Sequence, residues 1–438
     1  MVTFFSYAMI ITFMFLIMKK KLTPFTALVL VPFIFTIIGA LIGIFPTNIG
    51  EMALQGIKDT ATTGVMLLFA ILYFSIMLDA GLFDPLTNFV IRAAKGDPLK
   101  ITVGTAIVAA MVSLNGDGTT TTLITCTAFL PIYRRLNLSI MNFGVLVILM
   151  NTIMNLLPWG GPTARVIAVL DVNEQAILRS LAPGMVVAVI YMIIVSYYMG
   201  LKERKRLGIQ QLTAEELDEL CATKENDAEN LKRPQNIWIN AIMTIALVIM
   251  LILGTLPSVV LFLIGTVLAL IINYPSFDDQ RKRIQDNAGD AVQVVILVLG
   301  AGILMGLFTG TGMADALALS LTNIIPERFG RFWGLIVALL SAPGTFFLSN
   351  DAFYFGVLPV LAEAGMKYGF TAHELGVASL LGQAFHLLSP LVAFIYLLLN
   401  LTGLDMGEWQ KQSGKWALGI FIIFIIMASV IGAVPLYK

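Results

Sequence analysis

Apolar runs alternate with short charged stretches along the whole chain, and many runs approach the roughly 20 residues that a helix needs to cross a bilayer. The pattern predicts spanning helices over 2–18, 24–46, 62–82, 140–158, 181–200, 236–254, 257–273, 290–308, 373–402 and 416–435. Two places break it. Asn115-Gly116-Asp117-Gly118-Thr119-Thr120-Thr121-Thr122 separates the apolar runs 101–114 and 123–130, and Ser349-Asn350-Asp351 separates 334–348 from 352–361. Each arm is too short to span alone, so both regions read as re-entrant hairpins, near 98–135 and 331–367. Paired interrupted segments in corresponding halves of a chain are the sequence sign of a secondary transporter's binding site.

Composition narrows the class. Of the 438 residues, 58% are hydrophobic and 12% charged, against about a quarter charged in soluble domains. The chain therefore reads as an all-α polytopic membrane protein of about 10–12 transmembrane segments. Met1–Met18 lacks a basic start and a small-residue cleavage site and precedes Lys19-Lys20-Lys21, so it reads as a first span. Lys and Arg placement orients the chain. Putting the N-terminus outside gathers Lys19–Lys21, Arg92, Lys95, Lys100, Arg134, Arg135, Arg281–Arg283, Lys411 and Lys415 on the cytoplasmic side. The first hairpin then enters from the cytoplasm and the second from outside, as two inverted repeats require.

Internal landmarks agree. Gly81-Leu82-Phe83-Asp84-Pro85-Leu86 lies under Gly312-Met313-Ala314-Asp315-Ala316-Leu317, the hairpin tips follow, and each half then breaks a helix at Pro158 or Pro390. The offsets are 231 (312 minus 81), 234 (351 minus 117) and 232 (390 minus 158). The expected organisation is 1–61 scaffold helices, 62–200 first repeat, 201–235 charged cytoplasmic linker, 236–289 scaffold helices of the second half, and 290–438 second repeat. Residues 201–234 hold 15 of the 54 charged residues. Leu212, Leu217 and Leu220 there have the spacing of a short surface helix. Cys126 and Cys221 suggest neither a disulfide nor a metal site.

Non-helical backbone at membrane depth is tolerated where it lines a cavity or is buried in protein. Gly116 and Gly118 permit close approach of a ligand, and Thr119 and Thr120 open a helix whose free N–H groups attract anions. Ser349 and Asn350 offer cap chemistry at a second positive helix end. Asp117 and Asp351 are carboxylates within the membrane, placed to carry a proton or coordinate a cation; fixing the shape of each tip is the plainer role. Pro158, Gly160, Gly161 and Pro162 unwind the chain ahead of Thr163 and Arg165. Arg165 either offers a bidentate donor to a carboxylate or reaches the outer interface beside Asp171 and Glu174. In the second half His386 and Ser389 precede the break at Pro390; His386 is either a titrating group or a buried neutral one. There is no Gly-rich phosphate loop ending in Lys-Ser/Thr, no metal-ligand spacing, no nucleic-acid patch and no nucleophile–base pairing, so the chain does not read as an enzyme or a nucleic-acid partner.

At these motifs the chain resembles the citrate–divalent metal:proton symporter family (CitMHS) of the ion-transporter superfamily. The resemblance runs over essentially the whole length and rests on 95–100, 115–121, 158–165, 349–351 and 386–390. It implies proton symport of citrate complexed to Mg²⁺ or Ca²⁺, the metal arriving with citrate rather than as a resident cofactor. It implies a site formed by the hairpin tips and helix breaks, with Asp117, Asp351 and His386 as coupling candidates. It further implies elevator-like alternating access, a plasma-membrane location in a bacterium, and a homodimer formed through the scaffold. Family members often carry Asp where this chain has Asn115, a departure that removes one proton or cation ligand. A sodium-coupled carrier of free di- or tricarboxylates, and a channel-like or sensory protein, are the competing readings.

Overall fold

The computed structural model describes residues 1–210, 231–324 and 327–438. The expected surface helix with Leu212, Leu217 and Leu220, and Cys221, lie outside the described residues. Everything described is helix, turn or loop, without a strand. Among the described residues seven helices are long and apolar enough to cross a membrane.

The first half runs α1 (Val2–Met18), α2 (Pro24–Leu41), α3 (Ile49–Asp79), α4 (Asp84–Ala94), α5 (Pro98–Val112), α6 (Gly118–Arg135), α7 (Ile140–Met154), α8 (Gly161–Leu170) and α9 (Glu174–Leu207). The second half runs α10 (Ile237–Leu253), α11 (Ser258–Asn273), α12 (Phe277–Gly310), α13 (Met313–Ile324), α14 (Trp333–Phe347), α15 (Leu358–Lys367), α16 (Ala372–Leu380), α17 (Gln383–His386), α18 (Ala393–Thr402) and α19 (Met406–Val430). A π-helical turn, Ala352–Val357, leads into α15. Helices α7, α8 and α9 start at 140, 161 and 174; α16, α18 and α19 start at 372, 393 and 406, each 232 later. Even the caps correspond. Asp171 after α8 and Gly403 after α18 both end their helix in the left-handed region (φ 49° and 72°), and Asn173 and Asp405 cap the next helix with a side-chain oxygen.

Three spans, α3, α9 and α12, are longer than hydropathy suggests by ten residues or more. Helix α3 begins at Ile49 rather than near 62 because its first turns are amphipathic: Met52, Ala53, Gly56 and Thr60 are buried while Gln55, Lys58 and Asp59 are exposed. Helix α12 begins at Phe277 for the same kind of reason, and α9 continues through Arg204, Lys205 and Arg206, cations that suit a helix C-terminus. The expected span 373–402 is three pieces, α16, α17 and α18.

Helices α3 and α12 cross antiparallel through a seam of glycines. A Cβ at Gly56 would lie 1.9 Å from the Gly302 carbonyl oxygen, and one at Gly306 would lie 2.3 Å from Met52 O. Only glycine allows this backbone contact, the small-residue packing by which membrane helices associate without a hydrophobic driving force. Beside this pair, α7 is nearly enclosed, with residues 143–153 all buried, and α5, α6, α9 and α19 pack around it.

Candidate functional site

The first tip is built by its own carboxylate. Leu114 and Asn115 close α5 in a tight turn, Gly116 takes the left-handed φ of 77° that the reversal requires, and Asp117 starts α6. The Asp117 side chain accepts from Thr119 N at 3.2 Å and Thr120 N at 2.6 Å, and Asn115 Oδ1 accepts from Asp117 N at 2.9 Å. The helix-end N–H groups of Thr119 and Thr120 are thus taken by the Asp117 carboxylate, which is exposed at the tip. Asn115 and Gly118 are buried and Thr120 is half-buried.

Under this tip lies the first helix break. Trp159 Nε1 donates to Leu114 O at 2.7 Å, and a Cβ at Gly116 would lie 3.3 Å from Gly160 Cα. Thr163 Oγ1 donates to Leu156 O at 2.8 Å and Gly161 N to Asn155 Oδ1 at 3.3 Å, closing the bend between α7 and α8 around Pro162. The Trp159 ring packs on Phe74 of α3 and Phe262 of α11.

The second tip is capped differently. Ser349 Oγ accepts from Ala352 N at 3.2 Å. Gln383 Nε2 donates to Asn350 Oδ1 at 3.0 Å and to the Tyr354 hydroxyl at 2.7 Å. His386 is buried, and its Nδ1 donates to Thr345 O at 2.7 Å, which requires a proton on that nitrogen. Ser389, also buried, accepts from Leu391 N at 3.2 Å and turns the chain toward Pro390.

Contacts between the halves complete the geometry. Arg165 donates from both Nε and Nη2 to Asp351 Oδ1, each at 2.7 Å, and from Nη1 to Gly161 O at 2.7 Å. The two side chains are 17% and 16% exposed, so this pair is largely withdrawn from solvent. The reading of Arg165 as an interface anchor beside Asp171 and Glu174 does not describe it: its partner is the tip of the other half's hairpin. In the reciprocal place, the Phe394 ring at the start of α18 stands where a Cβ on Gly118 would go, 2.2 Å from its edge. Asp117 forms no hydrogen bond or ion pair with Asp351 or His386 among the described residues.

Gln383, Tyr354, Trp159 and Phe394 belong to this constellation although none was a candidate site residue; Trp159 lies within the 158–165 motif. The signal in reach was the offset, which pairs Gln383 with Asn151 (383 minus 232). Asn151 is buried, and neither end of its amide has a partner. A cavity of about 430 Å³ opens nearby between α3 and α12 on one wall and the end of α8, Pro359, Glu363 and Met366 on the other. Gln55, Asp59, Asp171 and Glu363 line it, and no tip residue does. Among the described residues no group of three or more His, Cys, Asp or Glu is arranged to hold a metal ion.

Apolar helices long enough to span, two capped tips and two broken helices define the architecture of a multi-pass membrane protein. The chain belongs to the citrate transporter family (CitMHS), whose model matches residues 13–382. It is 47% identical over 434 residues to a citrate transporter of Bacillus subtilis (strain 168), covering 99% of this chain and 100% of that one. It is 40% identical over 438 residues to a Mg²⁺/citrate complex secondary transporter of the same organism, covering both chains fully. In fold it is similar to the crystal structure of the Alcanivorax borkumensis YdaH transporter, with a TM-score of 0.55, 14% identity and 88% of each chain covered.

Proposed function

We propose that this chain is a secondary active transporter that imports citrate, carried as a complex with a divalent cation such as Mg²⁺ or Ca²⁺, in symport with protons. The observation that carries the reading is the Arg165–Asp351 pair between the halves. It sets a permanent cation and a titratable carboxylate together at a hairpin tip, largely out of water. A carboxylate of the substrate competes for Arg165 with bidentate geometry, and a proton on Asp351 releases the guanidinium to accept it. Substrate arrival and proton arrival are then linked, which is what symport requires.

The two tips suit different ends of one cargo. Asn350 and Arg165 offer donors, whereas Asp117 offers negative charge. A citrate trianion carrying a divalent cation is a monoanion overall, so less charge must be stripped of water in the site, and its metal end has Asp117 to face. Gly160, Gly161, Pro162, Thr163 and Ser389 shape the floor around these groups. His386, whose proton is held by Thr345 O, braces the hairpin arm; the coupling proton is assigned to Asp351, with Asp117 as the second candidate.

The elevator reading draws support from the cavity between the α3–α12 pair and the hairpin-bearing elements, which leaves room for one body to shift along the other. Residues 1–61 and 236–289 supply the scaffold helices; the unbroken α3 and α12 carry the division within them. In this reading the protein lies in the cell membrane with its N-terminus outside.

Labelled-citrate uptake into proteoliposomes with Mg²⁺, Ca²⁺ or a chelator, under an imposed proton or sodium gradient, tests the proposal. Accumulation should need both a divalent cation and an inward proton gradient. Uptake indifferent to chelation removes the metal complex, and accumulation driven by sodium alone removes proton symport.

A further inference from the structure

We propose that Gln383 is a positioning residue that fixes which end of the Asn350 side-chain amide faces the anion. This rests on the reading of the second tip as an anion site. The two ends of an amide look alike in outline, so their assignment must come from the hydrogen-bond network. Here the network has an unambiguous anchor. The Tyr354 hydroxyl lies 3.2 Å from Ser379 O, a backbone carbonyl that can only accept, so the hydroxyl proton is committed there. The Tyr354 oxygen, 2.7 Å from the Gln383 amide, must therefore accept, which places the nitrogen of Gln383 toward Tyr354. The second N–H of that nitrogen points at Asn350, 3.0 Å away, so the Asn350 atom facing it is the oxygen. The Asn350 NH₂, two donors and no acceptor, has no partner among the described residues and is left for the anion.

The relay is buried and specific to the second half. Gln383 is 2% exposed and Tyr354 is fully buried. Tyr354 sits in the π-helical turn Ala352–Val357, whose wider winding shifts its direction relative to an α-helix; such turns recur at functional sites. In the first half the residue at the matching position, Asn151, has no partner at either end of its amide, and the first tip is held by Trp159 and Asp117 instead. The second tip therefore has its polarity set by a chain that begins at a backbone carbonyl, and the first tip does not.

The test is a mutant cycle between Gln383 and Asn350, read as KM and maximal rate of citrate uptake in proteoliposomes and as stabilisation of the purified protein by citrate, isocitrate, succinate and phosphate. In its ionised form Gln383→Glu can only accept, so Asn350 turns its NH₂ toward it and presents oxygen to the anion; KM should rise about tenfold or more, at an unchanged maximal rate, since one donor to a charged ligand becomes an acceptor. Uncharged Gln383→Met and Tyr354→Phe should raise KM by a smaller factor, because the amide is then free rather than reversed. In an Asn350→Ala background all three should have no further effect. A KM change that persists in that background, or a wild-type KM in Gln383→Glu, overturns the proposal; the first would mark a direct charge or folding effect. If the unaltered protein binds another carboxylate and not citrate, the citrate reading fails and the same cycle on that carboxylate decides the positioning role. A protein that binds none of the four anions overturns both.

Discussion

Replacing Asp351 with Asn, with Arg165 intact, should tighten citrate binding while abolishing proton-driven accumulation. All the bonds Arg165 makes to Asp351 fall on one oxygen, and its remaining nitrogen is tied to Gly161 O. A substrate carboxylate must therefore displace Asp351 or share the guanidinium with it. At 17% and 16% exposure the pair lies between exposed ion pairs, worth about 0–1 kcal/mol, and buried ones, whose disruption costs about 3–5 kcal/mol. A middle value of about 2 kcal/mol corresponds to roughly 30-fold in an equilibrium constant. Asparagine keeps a neutral hydrogen bond to Arg165, so the gain in affinity should fall nearer tenfold than thirtyfold. Calorimetric titration of the purified variant with Mg²⁺–citrate measures the gain, and proteoliposome uptake under a proton gradient measures the loss. Unchanged or weaker binding by an otherwise folded Asp351→Asn protein would refute the competition: Asp351 would then be a direct ligand of the cargo, or the pair a structural tie.

Three further substitutions probe separate parts of the structure. Asp117→Asn should keep the cap on α6, since both residues cap well, with a stability change within about 0.5 kcal/mol; thermal denaturation checks this, and the divalent-cation dependence of citrate binding should weaken with the lost charge. Gly56→Ala places a methyl group 1.9 Å from the Gly302 carbonyl and should destabilise the α3–α12 pair by at least the roughly 1–3 kcal/mol of ordinary overpacking, whereas Gly414→Ala, with open space around it, should melt like the unaltered protein. Gly118→Ala should impair uptake by pressing on the Phe394 ring, and Phe394→Ala in the same chain should restore it; failure of the second change to rescue would separate that contact from the defect.

Much of this arrangement was legible along the chain, because each feature announced itself locally. Pro158, Gly160, Gly161 and Pro162 could not continue a helix, and α7 ends at Met154 while α8 begins at Gly161. Helices α5 and α6 run from Pro98 to Arg135, and α14 and α15 from Trp333 to Lys367. What hydropathy missed are the amphipathic first turns of α3 and α12, where burial on one face coexists with Gln55, Lys58 and Asp59 on the other. What no local pattern carries is partnership. Arg165 and Asp351 are 186 positions apart, and nothing around Arg165 names Asp351 rather than the nearer Asp171. Gln383 drew no notice because an amide in an apolar segment has no signature until its neighbours are known.

The crossing of α3 and α12 explains why the halves meet as they do. A Cβ on Gly64 of α3 would lie 3.7 Å from Val295 of α12, and 295 is 64 plus 231, the offset found between corresponding landmarks. Equivalent residues touch where antiparallel equivalent helices cross, which is the geometry expected around a two-fold axis relating inverted repeats. On the inverted-repeat reading such an axis exchanges the halves, so a broken helix that meets the opposite hairpin on one side does so on the other. Arg165 on Asp351 and Phe394 on Gly118 are those two meetings. They share a place in the fold but not a chemistry: one is an ion pair that a proton or a carboxylate can break, the other a ring against a glycine that neither can alter. On the proposed function, coupling therefore falls on the second hairpin. The first can follow its partner through the common body without responding to protonation of its own contact.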